Sequence, residues 1–147
     1  MLVIAAIVFV CSLKAGEVEL VLTDLHSGKE YAAFPLGEDG QFSIEFIHSV
    51  NQSPVTDVYQ VRGQDFYVIE TRYYSFGAGV QTQLEKEQTL SYAPDGAMVV
   101  SGFNTKMTGM CYLIGMVSDH ILSIGGSQYS LRDLCGRGSS VVFTLRK

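Results

Sequence analysis

The chain has no cluster of lysines or arginines. Its ten basic residues are scattered among fifteen acidic ones, giving a formal net charge of −5 and a pI near 5.0. That argues against nucleic-acid binding, which needs basic residues gathered on one surface to neutralise phosphates. The densest charge run is Glu85-Lys86-Glu87, which reads as a solvated loop or strand edge. The three cysteines form no Cys-x-x-Cys, which removes a zinc ribbon and a thioredoxin-like redox site. No Gly-x-Ser-x-Gly elbow occurs, and no serine or cysteine stands in a setting that would activate it as a nucleophile. No apolar run reaches the roughly 20 residues of a membrane-spanning helix. Low-complexity tracts and fixed-period repeats are also missing.

What is present is a folded chain of one domain. Hydrophobic residues make up 47% of its 147 residues and charged residues only 17%, a balance that disordered chains do not have. Residues 2–10 are an unbroken apolar stretch, Leu-Val-Ile-Ala-Ala-Ile-Val-Phe-Val, leading through Cys11 to Lys14. Its length suits the core of a secretory signal, usually 7–15 residues. The division that follows is 1–15 as a signal peptide or N-terminal membrane anchor, then 16–147 as a single β-rich extracytoplasmic domain. Ala15-Gly16 offers a cleavage point, Cys11 a lipid attachment point, and a buried first strand is the alternative for the whole run.

From Glu17 onward, short alternating stretches are separated by turn chemistry. Val18–Leu22 precedes the turn at His26-Ser-Gly28, and Tyr31–Leu36 ends at Gly37-Glu-Asp-Gly40. Arg62-Gly-Gln-Asp65 has glycine at the first central position of a hairpin turn. Pro94-Asp-Gly96, Ser118-Asp-His120 and Gly125-Gly126 break further strands, and the last runs from Val141 to Leu145. The spacing predicts an all-β fold, an antiparallel β-sandwich or partly closed barrel of about eight to ten short strands. One helical turn is predicted near Leu131–Cys135, capped by Ser130 and ended by Gly136. Cys111 and Cys135 are candidates for a disulfide in an oxidising compartment, or else two free thiols.

The stretch Phe42–Val61 carries the candidate site. A tight turn at Asn51-Gln-Ser-Pro54 opposes His48 to Asp57, Phe46 to Tyr59 and Ile44 to Val61. A second hairpin at Gly63-Gln64 opposes Asp57 to Glu70. Two apolar rows and one ionisable row, His48–Asp57–Glu70, then share the core face of three strands. Two adjacent carboxylates there need neutralising by His48, Arg72 or a bound cation. The row reads either as a buried polar network or as a site for a cation or small solute, with His48, Asp57 and Glu70 as candidate metal ligands. Ser49 joins the candidate ligand-binding residues by adjacency. Gly77 and Gly79 join them because Ser75-Phe-Gly-Ala-Gly79 can present backbone N–H groups. No catalytic residues are assigned, and no cofactor beyond a bound cation.

Phe42-Ser-Ile-Glu-Phe-Ile-His-Ser-Val50, Ser53-Pro-Val55, Asp57 and Ser75-Phe-Gly-Ala-Gly79, with His120-Ile-Leu122, Gly125-Gly126 and Tyr129-Ser-Leu131, resemble the domain of unknown function 1850 family. These are small exported bacterial proteins, and Asp57 stands where the family often carries Glu. The resemblance implies association with tripartite (TRAP) transporters of the TAXI type. The expected function is that of a non-catalytic accessory module in the periplasm or at the outer face of the cytoplasmic membrane. Its expected partners are the permease or the solute receptor. A free-standing cation or solute-binding domain is the alternative.

The export reading has a direct check. Residues 1–20 fused to a reporter active only outside the cytoplasm should give signal, and full-length but inactive reporter would count against it.

Overall fold

The computed structural model describes residues 18–75 and 83–147. The candidate glycines Gly77 and Gly79 and the apolar run 2–10 lie outside the described residues. Eleven strands form two antiparallel sheets. The small sheet has the order β2-β1-β11-β8, from Glu30–Pro35, Glu19–Asp24, Ser140–Arg146 and Met110–Leu113. The large sheet has the order β10-β9-β3-β4-β5-β7-β6. Its strands are Ser127–Ser130, His120–Ile124, Gln41–Ile47, Pro54–Arg62, Asp65–Tyr73, Met98–Lys106 and Thr89–Tyr92. The sheets do not close on each other, so the fold is a sandwich and not a barrel. The strand beyond the expected eight to ten is β10, four residues folded back on β9 by the Gly125-Gly126 turn.

Alternation explains the layers. In β3, Phe42 and Ile44 are buried while Ser43 and Glu45 face outward; in β1, Leu20 and Leu22 are fully buried. Phe42 joins the sheets: its ring stacks on Tyr59 at 5.2 Å and lies parallel to Phe143 of β11 at 6.4 Å. Such ring pairs add about 0.5–1.5 kcal/mol beyond the area they bury. A large core cluster lies between the sheets, and a smaller one of Val55, Tyr73, Met98 and Val100 lies on β4, β5 and β7.

The helical turn α1 spans Leu131–Cys135 as expected, with the Ser130 hydroxyl accepting the Asp133 N–H and Gly136 at φ +90° closing it. Asp119 ties this corner together: its carboxylate accepts the Ser130 hydroxyl at 2.6 Å and the backbone N–H groups of His120 and Arg132 at 2.7 and 3.0 Å. Burial works to raise the Asp119 carboxyl, but these bonds outweigh it and leave the group below its usual value. Cys111 and Cys135 are free. Cys111 sits on the exposed face of β8, between the inward Met110 and Tyr112, whereas Cys135 is buried in the core cluster. The proposed bridge is therefore corrected: the two thiols lie on opposite faces of the small sheet.

Between β5 and β7 the pairing jumps from Val68↔Thr105 to Glu70↔Ser101, and Gly102 sits in the jump at φ +87°. A Cβ there would stand 2.2 Å from the Glu87 carbonyl oxygen. Gly96 has the same φ, yet nothing lies within 4 Å of its would-be Cβ. Left-handed strain costs non-glycine residues about 1–3 kcal/mol. Gly96→Ala should therefore lose about that much in urea unfolding, and Gly102→Ala distinctly more. Equal losses would show that the Glu87 segment moves aside freely.

Candidate functional site

The predicted ionisable row does not form, for two local reasons. The β3–β4 connection is longer than a tight turn: Ile47 pairs with Pro54, and residues 48–53 form the loop. Phe46 consequently opposes Val55, Ile44 opposes Asp57, and His48 lies beyond the strand. The second reason is a β-bulge. The β4–β5 pairing follows expectation from Arg62↔Asp65 to Tyr59↔Val68, then skips Ile69, so that Val58 opposes Glu70 and Asp57 opposes Thr71. One inserted residue sends Glu70 to the outer face. There it pairs with Arg72 at 2.6 Å, beside an outer groove that Arg72 lines with Ser43, Thr56 and Ser123. An exposed pair of this kind adds about 0–1 kcal/mol. His48, Asp57 and Glu70 are thus not gathered as metal ligands. No group of three His, Cys, Asp or Glu side chains able to hold a metal occurs among the described residues.

Asp57 remains alone on the core face of β4, the middle strand of seven. Its carboxylate accepts the Thr71 hydroxyl at 2.7 Å. Two residues along the same face, the Tyr59 hydroxyl meets that of Tyr112, on the edge strand β8 of the small sheet, at 2.5 Å. Tyr112 sets its ring edge against His120 at 5.7 Å, and His120 stacks on Phe46 at 5.6 Å. A polar seam of Thr71, Asp57, Tyr59, Tyr112 and His120 therefore runs between the two core clusters. Asp57 keeps some solvent exposure, but its packing raises the carboxyl above the usual range, against the pull of its bonds to Thr71 and Tyr59. Burial likewise raises Tyr59 and Tyr112, and both phenols stay protonated. Burial lowers His120, opposed by Asp119. The His120 Nδ1 accepts the Gly115 N–H at 3.4 Å, which places its proton on Nε2.

The loop 48–53 has its own order. His48 Nδ1 accepts the N–H groups of Val50 and Asn51 at 3.3 and 3.4 Å, and the His48 N–H bonds the Ser53 carbonyl at 2.9 Å. Ser49 is exposed and its carbonyl accepts the Gln52 amide. Ser53 reaches Ser75 across 3.1 Å between hydroxyl oxygens, joining this loop to the start of the glycine-rich stretch. The Asn51 Nδ2 is buried without a hydrogen-bond partner among the described residues. Sequence reading placed Tyr59 in an apolar row and missed Thr71 and Tyr112. Both became site residues through pairings, the bulge and a cross-sheet contact, that no local pattern announces. His120 was visible only as part of the Ser118-Asp-His120 turn and of the family resemblance.

A carboxyl that holds its proton more tightly folded than unfolded stabilises the fold less as pH rises through that range. From the unfolded value near 3.8 upward to the raised folded value, wild type should lose melting temperature relative to Asp57→Asn, which still accepts from Thr71. Thermal melts from pH 3 to 7 test this; a constant offset between the two would show that Asp57 titrates normally.

The family model for Domain of unknown function (DUF1850) matches residues 42–131, from β3 to the first residue of α1. That span holds every member of the seam and the whole His48 loop. No curated protein and no solved structure matches the chain. With more than half its length inside the match, the chain belongs to the family of domain of unknown function 1850.

Proposed function

We propose that this domain is a non-catalytic accessory module of a TRAP solute transport system of the TAXI type. In this reading it is exported, tethered or released outside the cytoplasm, and contacts the permease or the solute receptor. The observation that carries the reading is an exposed apolar lip. Leu113, Met116 and Val117 are 66%, 65% and 89% exposed. They lie in the uncharged stretch 107–118 of a chain with net charge −5. Exposed apolar patches of this kind are a mark of interaction surfaces. Neighbouring structure holds the lip in place. The Ile114 N–H bonds the Ser139 carbonyl at 2.9 Å, the Gly138 N–H bonds the Ile114 carbonyl at 2.9 Å, and an Arg132 guanidinium N–H reaches the Val117 carbonyl at 3.5 Å.

A second reading keeps the seam as a small-solute site, and the Asn51 amide within the His48 loop, unpartnered among the described residues, favours it. A buried polar atom without a partner costs about 1–3 kcal/mol, which a bound acceptor would recover.

Co-purification separates the two. The domain should recover its own transporter subunits in preference to an unrelated permease. Met116→Glu with Val117→Glu should weaken that recovery about tenfold or more, the equivalent of ~1.4 kcal/mol. Equal recovery of both permeases, or no effect of the two substitutions, would remove the accessory reading. Solute-dependent melting lost in Asn51→Ala would then favour the second.

A further inference from the structure

At the end of the sandwich away from the His48 loop, the two sheets part around a cavity of about 730 Å³. Val18, Pro35 and Leu36 line it from the small sheet's side, and Val61 lines it from β4. The turn glycines Gly40, Gly63 and Gly125 complete the wall. At Gly63 and Gly125 even a Cβ would meet nothing within 4 Å, so the turns leave the space open. The size falls within the roughly 300–1,000 Å³ of small-molecule sites.

The lining decides the chemistry. Among the described residues it contains no hydroxyl, amide or imidazole side chain, and the charged residues there are Glu38 and Lys147, both exposed. Beyond those two charges at the mouth, a sugar or a nucleotide base would find few side-chain partners there. An alkyl chain would find Val18, Pro35, Leu36 and Val61 to pack against, with Lys147 available to an anionic head. The neighbouring Arg146 is already committed to Glu19 and Glu30, each at 2.8 Å. The position points the same way. Val18 lies on this wall. Only seven residues separate Val18 from the apolar run ending at Val10, a span of under ~30 Å when extended. Where that run is held in a bilayer, the cavity stands within reach of its surface.

We propose that this cavity binds the alkyl chain of a single-chain anionic amphiphile, with the chain between Leu36 and Val61 and the head near Lys147. The proposal is independent of the docking of transport subunits through the Leu113–Val117 lip, which lies at the far end of β11.

Dodecanoate titrated into the full chain should shift the methyl NMR signals of Val18, Leu36 and Val61 saturably and leave Val117 unmoved. Fluorescence of bound cis-parinaric acid should report the same site. Val61→Phe and, separately, Pro35→Trp should weaken that binding at least tenfold in whichever variant keeps the wild-type melting temperature. Lys147→Glu should weaken dodecanoate but not dodecanol. Absence of saturable shifts in the wild type, or shifts centred on Val117, would overturn the assignment whatever the variants do. So would full affinity in a folded Val61→Phe or Pro35→Trp protein.

Discussion

The middle of this protein depends on one inserted residue. Ile69 has no opposite number on β4, and its insertion turns the rest of β5 over. Without the bulge, with Ile69 paired to Val58, Glu70 would face Asp57 across the core side of the central pair, two carboxylates about 5 Å apart at their Cβ atoms. With it, Thr71 faces Asp57 and supplies a donor, while Glu70 finds Arg72 on the outer face. β7 follows the distortion, which is why Gly102 occupies a backbone conformation that other residues avoid. A bulge in a central strand needs neighbours on both sides to accept it, and here both do. The acidic residue at the heart of the large sheet survives because the backbone around it was rearranged to give it a hydroxyl.

The two ends of the sandwich differ in kind. One end gathers imidazoles, hydroxyls and a carboxyl, with backbone N–H groups closing on His48 and His120. The other is walled by valine, leucine, proline and glycine. Tyr59 and Tyr112 mark the frontier, since their hydroxyls meet where the edge strand of the small sheet passes over the middle of the large one. The rings of both belong to the apolar core, and the hydroxyls belong to the seam. Phenols suit that position because each presents an apolar body and one polar tip.

The succession of strands along the chain was legible in the sequence because turns are local. Gly63-Gln64, Pro94-Asp-Gly96 and Gly125-Gly126 each stand where a strand ends, and Ser130 and Gly136 bracket the single helical turn. Register was less legible. The expected pairing of Phe46 with Tyr59 and the observed pairing with Val55 differ by four residues, an even slip that keeps every side chain on its proper face. Apolar alternation cannot distinguish the two, because it reports faces and not partners. What decided the matter was the length of the His48 loop, held by hydrogen bonds to the His48 ring. The bulge at Ile69 was hidden for a related reason: Val68, Ile69 and Glu70 read as ordinary strand whichever of them is unpaired. Asp57 was placed on the correct face, while its partners were misassigned.

The small sheet pairs β1 with β11, setting Glu19 opposite Arg146. Almost the whole chain lies between those two residues. Hairpins of the large sheet can form as each turn emerges from synthesis, since β3, β4 and β5 are consecutive. The strand pair β1–β2 has to wait, with Leu20 and Leu22 uncovered, until the last seven-residue strand arrives. Closing so long a loop is slow, and it makes the C-terminal strand the clasp of the molecule. Loss of Arg146 would remove its contacts to Glu19 and Glu30 and weaken the seam between β1 and β11.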